Sequence, residues 1–145
     1  KLLTADSVKT LFNDSGQDLK SAEAIGNAEL VITPLRTSAK NYKTTINAPR
    51  FDCEFFPTGN NAKNCVASTK TKTVRVPMQA AADRGTQTIT ADKLNAYFSP
   101  QTKDVERLDA VGKAKFAELD RNALSDTISF TTADETVRLR GGEVL

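Results

Sequence analysis

The segment "LTADSVKTLF", Leu3 to Phe12, returns as "ITADKLNAYF", Ile89 to Phe98. The match runs without a gap from Leu3–Leu30 onto Ile89–Phe116, an offset of 86 residues. Thr4/Thr90, Ala5/Ala91, Asp6/Asp92, Phe12/Phe98, Asp18/Asp104, Ala24/Ala110, Gly26/Gly112 and Ala28/Ala114 are identical. Half that offset, 43, carries a third copy: Ala5, Ala48 and Ala91 share the spacing, as do Phe12, Phe55 and Phe98, and Val8, Phe51 and Leu94. A fourth start, "FTTAD", is cut short by the C-terminus. A fixed period of this length constrains the fold more than any local propensity, because each unit must repeat one supersecondary device. The units fall at about 3–45, 46–88 and 89–129, with a partial unit at 130–145, within a single domain.

The copies also decide between helix and strand. "VERLDAVGKAKFAEL", Val105–Leu119, fits either one on its own. Its counterpart "AKNCVASTKTKTVRV", Ala62–Val76, alternates Thr and Lys with Val and has little reason to be a helix. Copies of one unit share one conformation, so all read as strands. Period two then places Leu108, Ala110, Gly112, Ala114 and Phe116 on one face, with Val111 as an exception. In the first unit Ala22, Ala24, Gly26, Ala28, Leu30 and Ile32 share a face. Pro49 takes the Asp place in the middle copy, which suits a bulge or bend better than a regular ladder. Each unit is therefore an incoming strand, a bend, an outgoing strand, a turn and a long return strand. The expected fold is all-β and antiparallel, a repetitive meander or jelly roll.

Composition narrows the function. His is absent, which removes the commonest general base and metal ligand. Two Cys cannot complete a structural zinc site, so neither a metal nor another cofactor is expected. A net charge of +2, without a Lys/Arg block interleaved with aromatics, does not make a nucleic-acid footprint. No apolar run approaches the length of a membrane-spanning helix. The chain opens directly on patterned sequence, as a mature or trimmed piece of a longer protein would. Asp6, Asp92 and Asp134 recur, and bend residues whose carboxyls bond nearby backbone explain them better than a catalytic site. Lys70, Lys72 and Arg75 alternate with Thr, and their parity splits them between faces; a solvated face is the favoured account and a glycolipid phosphate contact the alternative. Cys53 and Cys65 are centred on Gly59, in the turn, so a symmetric hairpin sets them opposite each other. A disulfide is the favoured reading, and two buried thiols acting as small hydrophobes are the alternative.

The stretch "TITADKLNAYFSPQTKDVERLDAVGKAKF", with "TTADETVRLRGG" near the end, resembles the OstA-like family of lipopolysaccharide transport proteins. That family includes the periplasmic bridge protein and its inner-membrane-anchored partner. The shared form is T-x-A-D, a hydrophobic residue two on, an aromatic near the strand end, a polar turn, and an apolar strand reaching a Gly. Pro49 in place of Asp, Thr69 in place of Gly, and the two Cys set the middle copy apart. The resemblance implies a V-shaped, open-ended β-jelly roll whose apolar groove holds lipid acyl chains. It also implies a periplasmic location, with an inner-membrane tether in the anchored branch, and head-to-tail stacking on like domains through open strand edges.

Candidate groove residues are the repeated apolar places. Before the bend these are Leu3, Ile46, Ile89 and Phe130; on the outgoing strand they are Val8, Phe12, Phe51, Phe55, Leu94 and Phe98; on the return strand they are Leu30, Leu108 and Phe116. A closed core would use the same positions, since inward residues of a β fold are apolar in either case. The competing functional classes are a ligand-free structural or assembly repeat and the periplasmic domain of an outer-membrane assembly factor. The length and start of the full gene product would separate this last reading, and the tethered from the untethered branch.

Overall fold

A computed structural model describes residues 1–34, 41–80, 82, 84–132 and 136–144. Nine strands follow one another: β1 (Leu2–Thr4), β2 (Ser7–Phe12), β3 (Leu19–Ile32), β4 (Tyr42–Phe55), β5 (Ala62–Pro77), β6 (Gln87–Phe98), β7 (Val105–Glu118), β8 (Arg121–Thr131) and β9 (Thr136–Val144). Every pairing is antiparallel, and sheet order follows chain order. β1 and β2 both pair with β3, as two halves of one strand broken at Ala5–Asp6. The all-β reading holds.

The ladder breaks register at one level in strand after strand. Asn47 and Arg50 on β4 face Lys72 and Ser68 on β5; Thr90 and Lys93 on β6 face Lys115 and Val111 on β7. Two residues on one strand thus span three on the next, which is a β-bulge. The extra residue sits on the return strand, not on the A-D step where the sequence suggested the bend. Its signature is a pair of left-handed residues: Gly26–Asn27, Thr69–Lys70 and Gly112–Lys113, spaced 43 apart. A bulge bends its strand, and bulges aligned across neighbouring strands crease the whole sheet.

The Asp residues lie on this crease. The Asp6 N–H donates to the Gly26 carbonyl (2.9 Å), and its carboxylate accepts from Asn27 Nδ2 (3.1 Å). A Cβ on Gly26 would meet Asp6 Oδ2 at 2.5 Å, and one on Gly112 would meet Asp92 Oδ2 at 2.7 Å. Glycine is required there both for its φ and for the carboxylate lying over it. The middle unit lacks both partners together, with Pro49 for Asp and Thr69 for Gly. Asp134 lies outside the described residues, but Asp126 makes the same approach to Gly141.

The crease divides the sheet into two walls. The first wall holds 2–4, 28–32, 42–48, 71–77, 87–91, 114–118 and 121–125; the second holds 7–12, 19–25, 50–55, 62–68, 93–98, 105–111 and 127–131. The walls fold face to face. Arg75 of the first wall lies 4.0 Å from the ring centroid of Phe130 on the second, although two strands, β6 and β7, lie between β5 and β8. Inward side chains of both walls make one core whose fully buried members include Phe51, Ile46, Ile89, Leu94, Leu108 and Ile128. Burying each contributes about 1.5–3 kcal/mol.

Candidate functional site

Among the described residues, the space between the walls is packed along the crease and open at three places along its rim, the smallest a cleft of about 200 Å³ lined by Tyr42, Thr44, Arg75 and Val105. One cleft, of about 420 Å³, is floored by Leu3, Leu30, Ile32, Phe55 and the Cys53–Cys65 pair, with Lys1, Asn60 and Lys103 around it. Lys1 Nζ stands 4.7 Å from the Phe98 ring centroid. Burial there pushes its ammonium below the ordinary lysine value, against the opposing pull of Asp104. A second cleft, of about 370 Å³, has Phe116, Ala123, Phe130, Val137 and Leu139 as its apolar surface and Arg84, Gln87, Glu118 and Arg121 as its polar surface.

Between these two clefts, Arg75 is buried (4% exposed) and its guanidinium is sandwiched between Tyr42 (4.4 Å) and Phe130 (4.0 Å). This corrects the solvated-face reading for Arg75, while Lys70 and Lys72 are exposed as expected. The parity of β5 sets Thr71, Thr73 and Arg75 inward. Arg75 Nη1 donates to Gln87 Oε1, Gln87 Nε2 donates to Glu118 Oε2 (3.2 Å), and Arg121 pairs with Glu118. The ladder crosses four neighbouring strands. Buried charge of this kind is kept only with several bonded partners. Sequence reasoning missed Gln87 and Glu118. The signal was parity: each stands two residues from an inward apolar partner, Ile89 and Phe116 respectively.

The thirteen apolar candidates separate by depth. Ile46, Phe51, Ile89, Leu94, Phe98 and Leu108 are almost wholly enclosed by the two walls. Leu3, Leu30 and Phe55 reach the first cleft, and Phe116 and Phe130 reach the second. Val8 and Phe12 lie on the edge strand β2 and are 48% and 54% exposed, because no strand covers their side of β3. Cys53 and Cys65 form a disulfide across directly paired positions of β4 and β5. At the opposite edge β9 pairs only with β8. Among the described residues, no group of three or more His, Cys, Asp and Glu is placed to hold a metal ion.

Residues 61–145, more than half of the chain, match the family described as LptA/(LptD N-terminal domain) LPS transport protein. No curated protein sequence matches. Among solved structures, the chain is similar to LptH, the LptA homologous periplasmic component of the conserved lipopolysaccharide transport device from Pseudomonas aeruginosa. The TM-score is 0.65 at 14% identity, covering 97% of this chain and 82% of that one. At this identity the likeness establishes the fold, a β-jelly roll.

Proposed function

The chain belongs to the LptA/LptD N-terminal-domain family of lipopolysaccharide transport proteins, and on that premise we propose that it is a periplasmic module that shields lipopolysaccharide acyl chains between its two walls. The family is one of transport, not of catalysis. The observation that carries the reading is the cleft between the walls with an apolar floor of Leu3, Leu30, Ile32 and Phe55, with Phe116, Phe130 and Leu139 reaching a second, more polar cleft along the same space. An acyl chain enters such a cleft by burial, at about 0.8 kcal/mol per CH₂, while the charged glycolipid head stays at the polar rim. No covalent step is needed, and net movement draws its energy from elsewhere.

The exposed edges complete the proposal. Among the described residues, β2, with Val8, Leu11 and Phe12 uncovered, and β9 each have one backbone edge without a partner strand. Such edges recruit strands, so like domains stack through them and their slots run on from one to the next. The anchored and unanchored branches of the family differ at the start of the full gene product, and its N-terminal sequence assigns this chain to one of them.

A photoreactive residue at Phe55 or Phe116 tests the groove. Lipopolysaccharide is expected to crosslink there and not at the outward-facing Asn47. Crosslinks confined to Asn47 would remove the groove reading.

A further inference from the structure

The outer surface of the first wall has a charge pattern that the slot does not use. Its outward positions from β4 to β8 are Lys43, Thr45 and Asn47; Lys72, Val74 and Val76; Thr88 and Thr90; Lys115 and Ala117; and Asn122 and Leu124. No carboxylate occurs among them. Lys70, Lys93 and Lys113 continue the cationic field along the crease. The register sets Lys72, Thr90 and Lys115 in one row, so the two lysines stand about 10 Å apart across β6. Among the described residues, none of these six lysines is in an ion pair. Three acids of the second wall do find cations: Glu23 and Asp52 meet Arg50, and Asp109 meets Arg107. Carboxylates close the row at both ends by register, Glu29 on β3 and Glu143 on β9, and Asp92 and Asp126 lie over crease glycines.

The pattern also belongs to particular copies. K-x-K stands at 70–72 and again at 113–115, while the first unit has Asn27 and Glu29 in those places. The repeat scaffold therefore does not require it. Aliphatic side chains accompany the cations: Val76 and Leu124 are exposed on the same face, beside a shallow depression lined by Thr88, Ala117 and Leu124.

We propose that this face docks on an anionic phospholipid bilayer surface. Lysine ammoniums are compact point charges that meet lipid phosphates without demanding a fixed geometry, and exposed aliphatics settle at the interface between them. The absence of carboxylates at the outward positions from β4 to β8 supplies the charge complementarity. The slot lies on the opposite face of the sheet, so docking leaves it clear. The proposal does not rest on the groove reading.

Vesicle co-sedimentation tests it, using phosphatidylglycerol mixed with phosphatidylcholine against phosphatidylcholine alone. The protein is expected on the mixed vesicles only, and added salt releases it. Each lysine near an anionic surface is worth about a five-fold change in affinity. The quadruple variant K43Q/K72Q/K93Q/K115Q, altered only at exposed regular strand positions, is therefore expected to bind at least about a hundred-fold more weakly. The variant K9Q/K20Q/K63Q/R138Q makes the same change in net charge elsewhere, at exposed positions outside all three clefts, and is expected to keep its binding. Equal binding to both vesicle types, no binding to either, or equal losses in the two variants would overturn the proposal.

Discussion

Replacing Gly112 by Ala isolates what holds the crease. The new Cβ meets Asp92 Oδ2 at 2.7 Å and Asp92 Cβ at 3.0 Å, at a φ of +87°. Holding an L-residue in the left-handed region costs about 1–2 kcal/mol. Forcing the Asp92 side chain off its seat adds about 1–2 kcal/mol, in the range of other overpacked sites. The sum is about 2–4 kcal/mol, and with a urea slope of about 1–3 kcal/mol per molar the unfolding midpoint falls by about 1–2 M. In an Asp92→Ala background only the backbone part remains, so the same substitution is expected to cost about half as much. The coupling read from that double-mutant cycle is about 1–2 kcal/mol. The middle unit is a natural version of the double change, since Pro49 stands opposite Thr69, and Thr69 and Lys70 both sit at positive φ without glycine. Thr69→Gly is accordingly expected to stabilise the protein by about 1 kcal/mol. Equal costs for Gly112→Ala in both backgrounds would refute the account of the crease as an Asp–Gly contact.

Three further outcomes follow from the same geometry. Reducing the Cys53–Cys65 bridge, or replacing both residues by Ala, is expected to lower stability by about 3 kcal/mol, read as a drop in the thermal midpoint. Arg75→Ala leaves Gln87 Oε1 without its donor and removes the contacts with Tyr42 and Phe130, so it is expected to cost about 2–5 kcal/mol, while the exposed Lys72→Ala stays within about 0.5 kcal/mol in the same urea titration. Leu94→Ala opens a cavity in the closed middle and is expected to cost about 2–5 kcal/mol, whereas Phe12→Ala on the uncovered edge leaves the melt nearly unchanged and weakens self-association in sedimentation experiments.

The strands were legible because three copies of one unit could be compared. Val105–Leu119 is ambiguous alone, and only its Thr- and Val-rich counterpart on β5 fixes it. The cysteine pairing followed from hairpin symmetry about Gly59. The position of the bulge was not legible from Pro49 or the Asp residues, since they mark the strand opposite the extra residue. The left-handed pairs at 26–27, 69–70 and 112–113 are its true signature, and Thr69 and Lys70 are poor advertisements for positive φ. The depth of each apolar candidate was hidden for another reason. Leu94 and Phe55 have the same inward parity, yet one is sealed and the other reaches a cleft, and that difference is set by how the walls close far along the chain. Val8 and Phe12 share the pattern but lie at an edge, where nothing arrives to cover them. Parity alone splits Arg75 from Lys70 and Lys72, but a lone charge at an inward place reads as solvated until the rings of Tyr42 and Phe130 that enclose it are known.

The disulfide ties two adjacent strands of a single wall and never crosses to the facing one. It works as a stiffening rib, not a clasp. The two walls are held toward each other by side-chain packing and by contacts such as those of Arg75 with Phe130 and Lys1 with Phe98. The opening between them can therefore widen and narrow in an oxidising compartment with every covalent bond intact, and the redox state governs how firmly one wall keeps its shape while leaving the aperture to reversible forces.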